Sequence, residues 1–257
     1  NQSFLKTNFE KFNIKIISPN FNLEYGLTSE EVEVRLKKLV RYSEPNKNLK
    51  TLFIWPEGVL SGYSFEEVLK FKDIIEKNFN KNHLIVFGIS TFNQEKNGFY
   101  NSLVIVNDRF EIIRQYKKQK LVPFGEFLPF KKILNSFGLK KITEGHGSFL
   151  KGKKQENLIF DQLNILPLIC YEVIFTKFIQ QSHPETNLII NISEDGWFGN
   201  SIGPYQHFAK AIFRAIEQNS FLIRSANKGT SAIINNKGDV VKKLTPLEVG
   251  NIELEVP

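Results

Sequence analysis

Ile165-Leu166-Pro167-Leu168-Ile169-Cys170-Tyr171-Glu172 is a short apolar run that stops on the only cysteine of the chain. A run of this length reads as a buried strand, and Leu158 to Phe160 just upstream supplies its pair. Downstream the pattern alternates: a helix over Glu172 to Gln181, a strand over Leu188 to Ile192, a helix over Pro204 to Gln218, a strand over Phe221 to Ser225. Strands over Ser231 to Asn235 and Val240 to Leu244 follow, joined by a hairpin turn at Asn236-Lys237-Gly238-Asp239. Upstream, Phe12 to Ile17, Leu52 to Trp55, Leu84 to Ile89, Ser102 to Val106 and Phe110 to Arg114 read as strands, with Asn107-Asp108 turning the last pair. Thr28-Ser29-Glu30-Glu31 and Ser64-Phe65-Glu66-Glu67 are capping boxes, in which hydroxyl and carboxylate satisfy each other's free backbone donors. Behind them Val32, Leu36, Leu39 and Val40, then Val68, Leu69, Phe71, Ile74 and Ile75, fall at helical spacing. The expected fold class is α/β, with mixed β-sheets and outer helices.

No composition shift, linker or repeat divides the 257 residues, so one domain over 1–257 is expected. Forty-one per cent hydrophobic residues, 24 of them Phe, is ample for a large core. No run approaches the ~18 apolar residues of a membrane-spanning helix, and no signal peptide is evident. The chain starts at Asn1 and contains no Met, from which an excised piece of a longer protein is expected. One cysteine excludes an intramolecular disulfide. The net charge of +7 suits an anionic surface, lipid or nucleic acid, but abundant Lys, Asn, Ile and Phe are equally what an AT-rich coding bias produces.

Three polar groups stand where apolar strands end: Glu57 in Trp55-Pro56-Glu57-Gly58, Lys118 heading Lys118-Gln119-Lys120-Leu121-Val122-Pro123-Phe124-Gly125-Glu126, and Cys170. Acyl transfer through a thioester needs a deprotonated sulfur, a base for its proton and positive charge near the oxyanion. A neighbouring ammonium lowers a thiol pKa from about 8.5 and can stabilise the oxyanion together with backbone N–H groups. A carboxylate in the same dry pocket can shuttle the proton. Each residue also has a plain reading. A lone cysteine after a strand is usually a small buried hydrophobe, Lys118 sits among Arg114, Lys117 and Lys120 as on a solvated face, and Glu57 could be a loop carboxylate.

The local strings decide between these readings. Trp55-Pro56-Glu57, Lys118 before Leu121-Val122-Pro123-Phe124-Gly125-Glu126, and Cys170-Tyr171-Glu172 resemble the nitrilase superfamily of carbon–nitrogen hydrolases. Tyr100-Asn101-Ser102, Asn191-Ile192-Ser193 with Asp195-Gly196-Trp197-Phe198-Gly199, Ser201 to His207 and Arg224 to Gly229 narrow the likeness to the extracytoplasmic domain of the apolipoprotein N-acyltransferase family, from about Phe12 to Leu244. The resemblance implies a nitrilase-like α/β/β/α sandwich with Glu57 as base, Lys118 as oxyanion and thiolate stabiliser and Cys170 as nucleophile. It implies that Glu126 supports the lysine and that Tyr171, Glu172 and Trp197 shape the site or contact substrate. It further implies a phospholipid acyl donor such as phosphatidylethanolamine, a diacylglyceryl-cysteine apolipoprotein acceptor, and a bacterial inner-membrane location with the catalytic domain on the periplasmic side. No metal or dissociable cofactor is implied; His83, His146, His183 and His207 are scattered. Members of the family carry membrane-spanning helices on both sides of this domain and a Trp shortly after the first strand. This chain has no such helices, and Asn20 to Thr28 offers only Phe21 and Tyr25, so no residue takes that tryptophan's role.

The stretch Phe127, Leu128, Phe130, Ile133, Leu134, Phe137 and Leu139 is strongly apolar and interspersed with Lys131, Lys132, Lys140 and Lys141. It suits either core or a membrane arm whose aromatics, Phe127, Phe130 and Phe137, sit among acyl chains with lysines at the phosphates. The arm is the expectation, because the stretch follows directly on Glu126. A soluble amidase or nitrilase with the same triad is the rival function, differing in whether an amine or water resolves the thioester. A basic binding module for lipid or nucleic acid leaves the placement of Glu57 and Cys170 unexplained, and no nucleic-acid partner is expected.

Overall fold

Side chains along each strand alternate between two apolar layers, and that alternation stacks two sheets face to face between helices. The computed structural model describes residues 12–127, 148–153, 157–160, 163–179 and 185–256. In chain order the elements begin β1 (Phe12–Ser18), α1 (Ser29–Ser43), β2 (Thr51–Ile54), α2 (Phe65–Val68), α3 (Lys72–Asn78), β3 (His83–Asn93), β4 (Gly98–Val106) and β5 (Ile112–Lys117). They continue with β6 (Leu158–Phe160), β7 (Leu163–Ile169), α4 (Thr176–Ile179), β8 (Leu188–Glu194), α5 (Gly203–Glu217), β9 (Phe221–Asn227), β10 (Ser231–Ile234), β11 (Val240–Leu244) and β12 (Gly250–Val256).

One sheet runs β12-β1-β2-β3-β4-β5 and the other β11-β10-β9-β8-β7-β6. In each, three central strands are parallel (β1-β2-β3 and β7-β8-β9) and the flanking ones antiparallel, so both sheets are mixed. Ile14, Ile16, Leu52, Ile54 and Val86 of the first sheet meet Ile165, Ile169, Leu188, Ile190 and Ile223 of the second. The alternate residues Ile17, Phe53, Ile85 and Phe87 pack under α1, α2 and α3, while Leu166, Leu168, Ile189 and Leu222 pack under α5. Period two along the strands thus generates an α/β/β/α sandwich. Among the described residues, no helix is long and apolar enough to cross a membrane.

Both capping boxes form. Thr28 N–H donates to Glu31 Oε2 at 2.7 Å and Ser64 N–H to Glu67 Oε2 at 2.7 Å, and the two hydroxyl oxygens accept from the Glu31 and Glu67 N–H groups. The second box opens only one α-turn, because Leu69–Phe71 tightens to a 3₁₀ turn before α3.

Elsewhere the structure corrects the sequence reading. Of the helix expected over Glu172 to Gln181, the described residues form a 3₁₀ turn, Cys170–Ile174, and then the helical residues of α4, while 180 and 181 lie outside the described residues. The cause of the 3₁₀ turn is Glu172, whose carboxylate turns back to the Ile169 N–H at 2.9 Å and holds the backbone tight. The strand expected from Phe110 begins at Ile112, since Phe110 has φ 58° in the connecting turn and buries its ring against Phe87, 6.0 Å away. Strands β8 and β9 run two residues beyond their apolar stretches, to Glu194 and Asn227. Strand β12 had no counterpart in the sequence reading, although Ile252 and Leu254 alternate; it pairs antiparallel with β1. Of the expected membrane arm, Phe130 and Phe137 lie outside the described residues. Phe127 is half-buried, and its carbonyl accepts from the Phe124 N–H at 2.8 Å.

Candidate active site

Strand β7 delivers Cys170 into a left-handed conformation, φ 49°, which costs a non-glycine residue about 1–3 kcal/mol and persists only where its surroundings enforce it. Two buried groups enforce it. His207 Nε2 on α5 donates to the Cys170 carbonyl at 3.1 Å, and Glu172 holds the Ile169 N–H immediately before. The other Glu172 oxygen accepts from the Tyr116 hydroxyl (2.9 Å), the Gln119 N–H (2.8 Å) and the Lys120 N–H (3.0 Å). A single carboxylate therefore fastens the cysteine turn to the loop that carries Lys118. Burial pushes its pKa up, while Lys118 and the backbone donors oppose the shift. Glu172 stands behind the cavity wall instead of facing substrate. Glu172→Ala removes the acceptor of four donors and is expected to cost about 3 kcal/mol or more in urea unfolding; a change under about 1 kcal/mol would contradict this anchoring role.

Glu57 follows β2 on a turn anchored by Trp55, whose indole donates to Ser43 Oγ at 2.9 Å. Gly58 makes that turn possible. Its φ is +77°, and a Cβ there would sit 2.7 Å from Glu194 Oε2. Lys118 leaves β5 with its N–H donating to the Asn101 carbonyl at 2.8 Å. Its ammonium lies 3.0 Å from Glu126 Oε1 and 3.6 Å from Glu57 Oε1. Asn101 Nδ2 donates to those same two oxygens, at 2.7 and 2.8 Å. The remaining oxygens are held by backbone: Glu126 Oε2 by the Val122 N–H (2.8 Å) and Glu57 Oε2 by the Glu194 N–H (3.2 Å).

Glu57, Lys118, Glu126 and Cys170 open onto one cavity of about 430 Å³, whose wall also includes Tyr25, Phe149, Tyr171, Glu194 and Trp197. Burial works against the Lys118 charge, but Glu126 and then Glu57 override it and hold the ammonium well above its ordinary pKa. Burial pushes the Cys170 thiol up; Glu57 adds to the shift and Lys118 opposes it. The resting sulfur is therefore protonated at neutral pH, and a base must take its proton as it attacks.

Beneath the cysteine turn lies a buried polar platform. Asp195 receives Arg224 Nη2 at 2.7 Å, His207 Nδ1 lies 2.9 Å from its Oδ1, and Ser193 Oγ donates to it at 2.7 Å. Burial would raise the Asp195 pKa, but Arg224 and His207 hold it down at about 2. Arg224 Nη1 also donates to Asn191 Oδ1. Asn101, Asp195, His207 and Arg224 lie in distinctive strings of the sequence that carry no assigned role there, and Glu194 lies in none of them. Glu194 and Asp195 show polarity at the end of a buried strand, whereas Asn101 and Arg224 lie within strands and His207 on a helix. Among the described residues, no cluster of three or more His, Cys, Asp or Glu is arranged to hold a metal ion.

The comparisons bear on the family and the fold. Residues 24–256 match the carbon-nitrogen hydrolase family. The apolipoprotein N-acyltransferase of Brucella suis biovar 1 (strain 1330) is 32% identical over 253 residues, covering 95% of this chain and 47% of that protein. The protein of the same name from Rickettsia prowazekii (strain Madrid E) is 34% identical over 257 residues, covering 98% and 50%. The chain thus spans about half the length of these relatives. Among solved structures, Saccharomyces cerevisiae Nit3, of the nitrilase superfamily, superposes with a TM-score of 0.66 at 16% identity, covering 95% of this chain and 89% of that one. An amidase from Nesterenkonia sp. AN1, with the acetamide moiety of fluoroacetamide added at its active-site cysteine, gives 0.65 at 14% identity, covering 96% and 90%. At such identities these two likenesses are of fold. With a family match over nine-tenths of its length, the chain belongs to the carbon-nitrogen hydrolases.

Proposed function

We propose that residues 1–257 form one catalytic domain of an apolipoprotein N-acyltransferase, acting at the periplasmic face of a bacterial inner membrane. The observation that carries this reading is the shared cavity: a thiol, a charged ammonium and a carboxylate on one wall, and largely apolar walls for a chain. The relatives' names supply the substrate class.

In the first half-reaction Cys170 Sγ attacks the ester carbonyl of a phospholipid such as phosphatidylethanolamine, and Glu57 takes the thiol proton. Lys118 and backbone N–H groups of the cysteine turn meet the oxyanion. The ester C–O bond then breaks, and the leaving lysophospholipid oxygen receives the proton from Glu57. In the second half, the amine of a diacylglyceryl-cysteine apolipoprotein attacks the thioester carbon and gives Glu57 a proton. The C–S bond breaks, and that proton returns to Cys170. Glu126 and Asn101 keep Lys118 and Glu57 in register throughout; Tyr171 and Trp197 border the substrate.

Protein incubated with phosphatidylethanolamine vesicles is expected to gain one fatty-acyl mass, removable by hydroxylamine, and to pass it to a diacylglyceryl-cysteinyl peptide. No adduct, together with hydrolysis of small amides, would establish the amidase reading instead.

A further inference from the structure

Four buried side-chain polar atoms among the described residues lack a hydrogen-bond partner, and Tyr25 Oη alone of them belongs to a residue lining the active-site cavity. A buried hydroxyl left unpaired costs about 1–3 kcal/mol, which a ligand group can recover. Tyr25 lies between β1 and α1 with its ring 5.7 Å from that of Trp197. The charges that act on it are Glu194 and then Glu57.

Glu194 is the last residue of β8 and is buried in the same wall. Its Oε1 accepts from the Gly196 N–H and its Oε2 from Asn227 Nδ2, both at 2.7 Å. Each oxygen keeps a second lone pair for another donor. Its own N–H holds Glu57 Oε2, so a group bound at Glu194 waits beside the base. The reaction described above does not use this carboxyl, and a carboxyl and an unpaired tyrosine hydroxyl on residues lining one cavity suit a primary ammonium.

We propose that Glu194 and Tyr25 form the subsite that receives the acceptor's amino group, takes its first proton and so favours an amine over water at the thioester. This rests on the acyltransferase reading. A primary ammonium, R–NH3+, passes a proton to the Glu194 carboxylate, leaving R–NH2 and a carboxylic acid. The nitrogen lone pair attacks the thioester carbon, Glu57 accepts the second proton, the C–S bond breaks and that proton goes to Cys170 Sγ. Glu194 then releases its proton to solvent. Burial pushes the Glu194 carboxyl up to about 8, against the Asn227 and Gly196 donors and with help from Glu57 and Asp195. An α-amino group titrates at about 7.7–8.0, in the same range, so the carboxyl can both take the proton and give it up again. Tyr25 Oη accepts an N–H from the ammonium and orients it.

The test reads the fate of acyl-enzyme already formed. Protein loaded from phosphatidylethanolamine is offered a synthetic diacylglyceryl-cysteinyl peptide in water, and N-acyl peptide is measured against free fatty acid. For Glu194→Gln this ratio is expected to fall about tenfold to a hundredfold, and for Tyr25→Phe about threefold to tenfold. Ratios within about twofold of wild type in both variants overturn the subsite, as does a loss confined to thioester formation, which marks a structural role. If Glu194→Gln cannot be loaded, Tyr25→Phe decides alone. Wild-type protein that never forms a thioester fails earlier, and takes the acyltransferase reading and this inference together.

Discussion

Cys170→Ala protein incubated with phospholipid is expected to show no hydroxylamine-labile acyl mass, with acyl transfer reduced by about a millionfold. The magnitude follows from the chemistry. No other thiol exists in the chain, and Glu57 and Lys118 have nothing to activate once the sulfur is gone. Cys170→Ser is expected to be equally inactive, because a hydroxyl proton is far harder to remove than a thiol proton and the pocket is tuned to sulfur. The fold survives either change. The removed atoms are few, and the turn is held through the Cys170 carbonyl and the Ile169 N–H, both backbone groups. An acyl adduct that forms equally on the alanine variant would place the nucleophile elsewhere.

Lys118→Met is expected to lower acyl transfer about 10²–10³-fold and stability by about 3 kcal/mol or more. Its ammonium is shared between two carboxylates at 3.0 and 3.6 Å, and removing it leaves Glu126 and Glu57 facing one another across a dry site. The sign of the effect on Cys170 is also determined. A cation favours the thiolate, so losing it raises the thiol pKa further and moves the pH profile of iodoacetamide alkylation to higher pH. An unchanged alkylation profile would remove Lys118 from the electrostatics of the sulfur, whatever happened to stability. Partial recovery of transfer by Lys118→Arg would separate the charge from the geometry, since guanidinium keeps the charge and not the point of attachment.

These two residues stand out in the chain because each follows a strand inside a distinctive local string, Cys170 after the wholly buried β7 and Lys118 after the mixed β5. Much of the framework was legible as well. The hydroxyl–carboxylate pairs at Thr28 and Ser64 cap helices by local chemistry alone, and alternating apolar residues in β1, β3, β7 and β8 encode two faces before any partner is known. Reading failed where local polarity concealed a strand. Ser193-Glu194 and Ala226-Asn227 extend β8 and β9 because their side chains are satisfied by residues of other elements, such as Asn227 Oδ1 receiving the Phe21 N–H at 2.7 Å. It failed again at Glu172, where helical spacing suggested a continuing helix and one carboxylate instead drew four donors into a tight turn.

The chain alone determined where most of the strands and the capped helices lie and which of their faces are apolar, because those depend on neighbours a few positions away. Tertiary structure decided the left-handed setting of Cys170, the sharing of Lys118 between Glu57 and Glu126, the closure of the first sheet by β12 and the place of Glu194 beside the base. The physical reason is distance along the polypeptide. Glu57 and Glu194 are separated by 137 positions, yet the Glu194 N–H donates to the Glu57 carboxylate. Burial, which sets the protonation of the thiol and of the carboxyl at Glu194, exists only once the two sheets have closed over both.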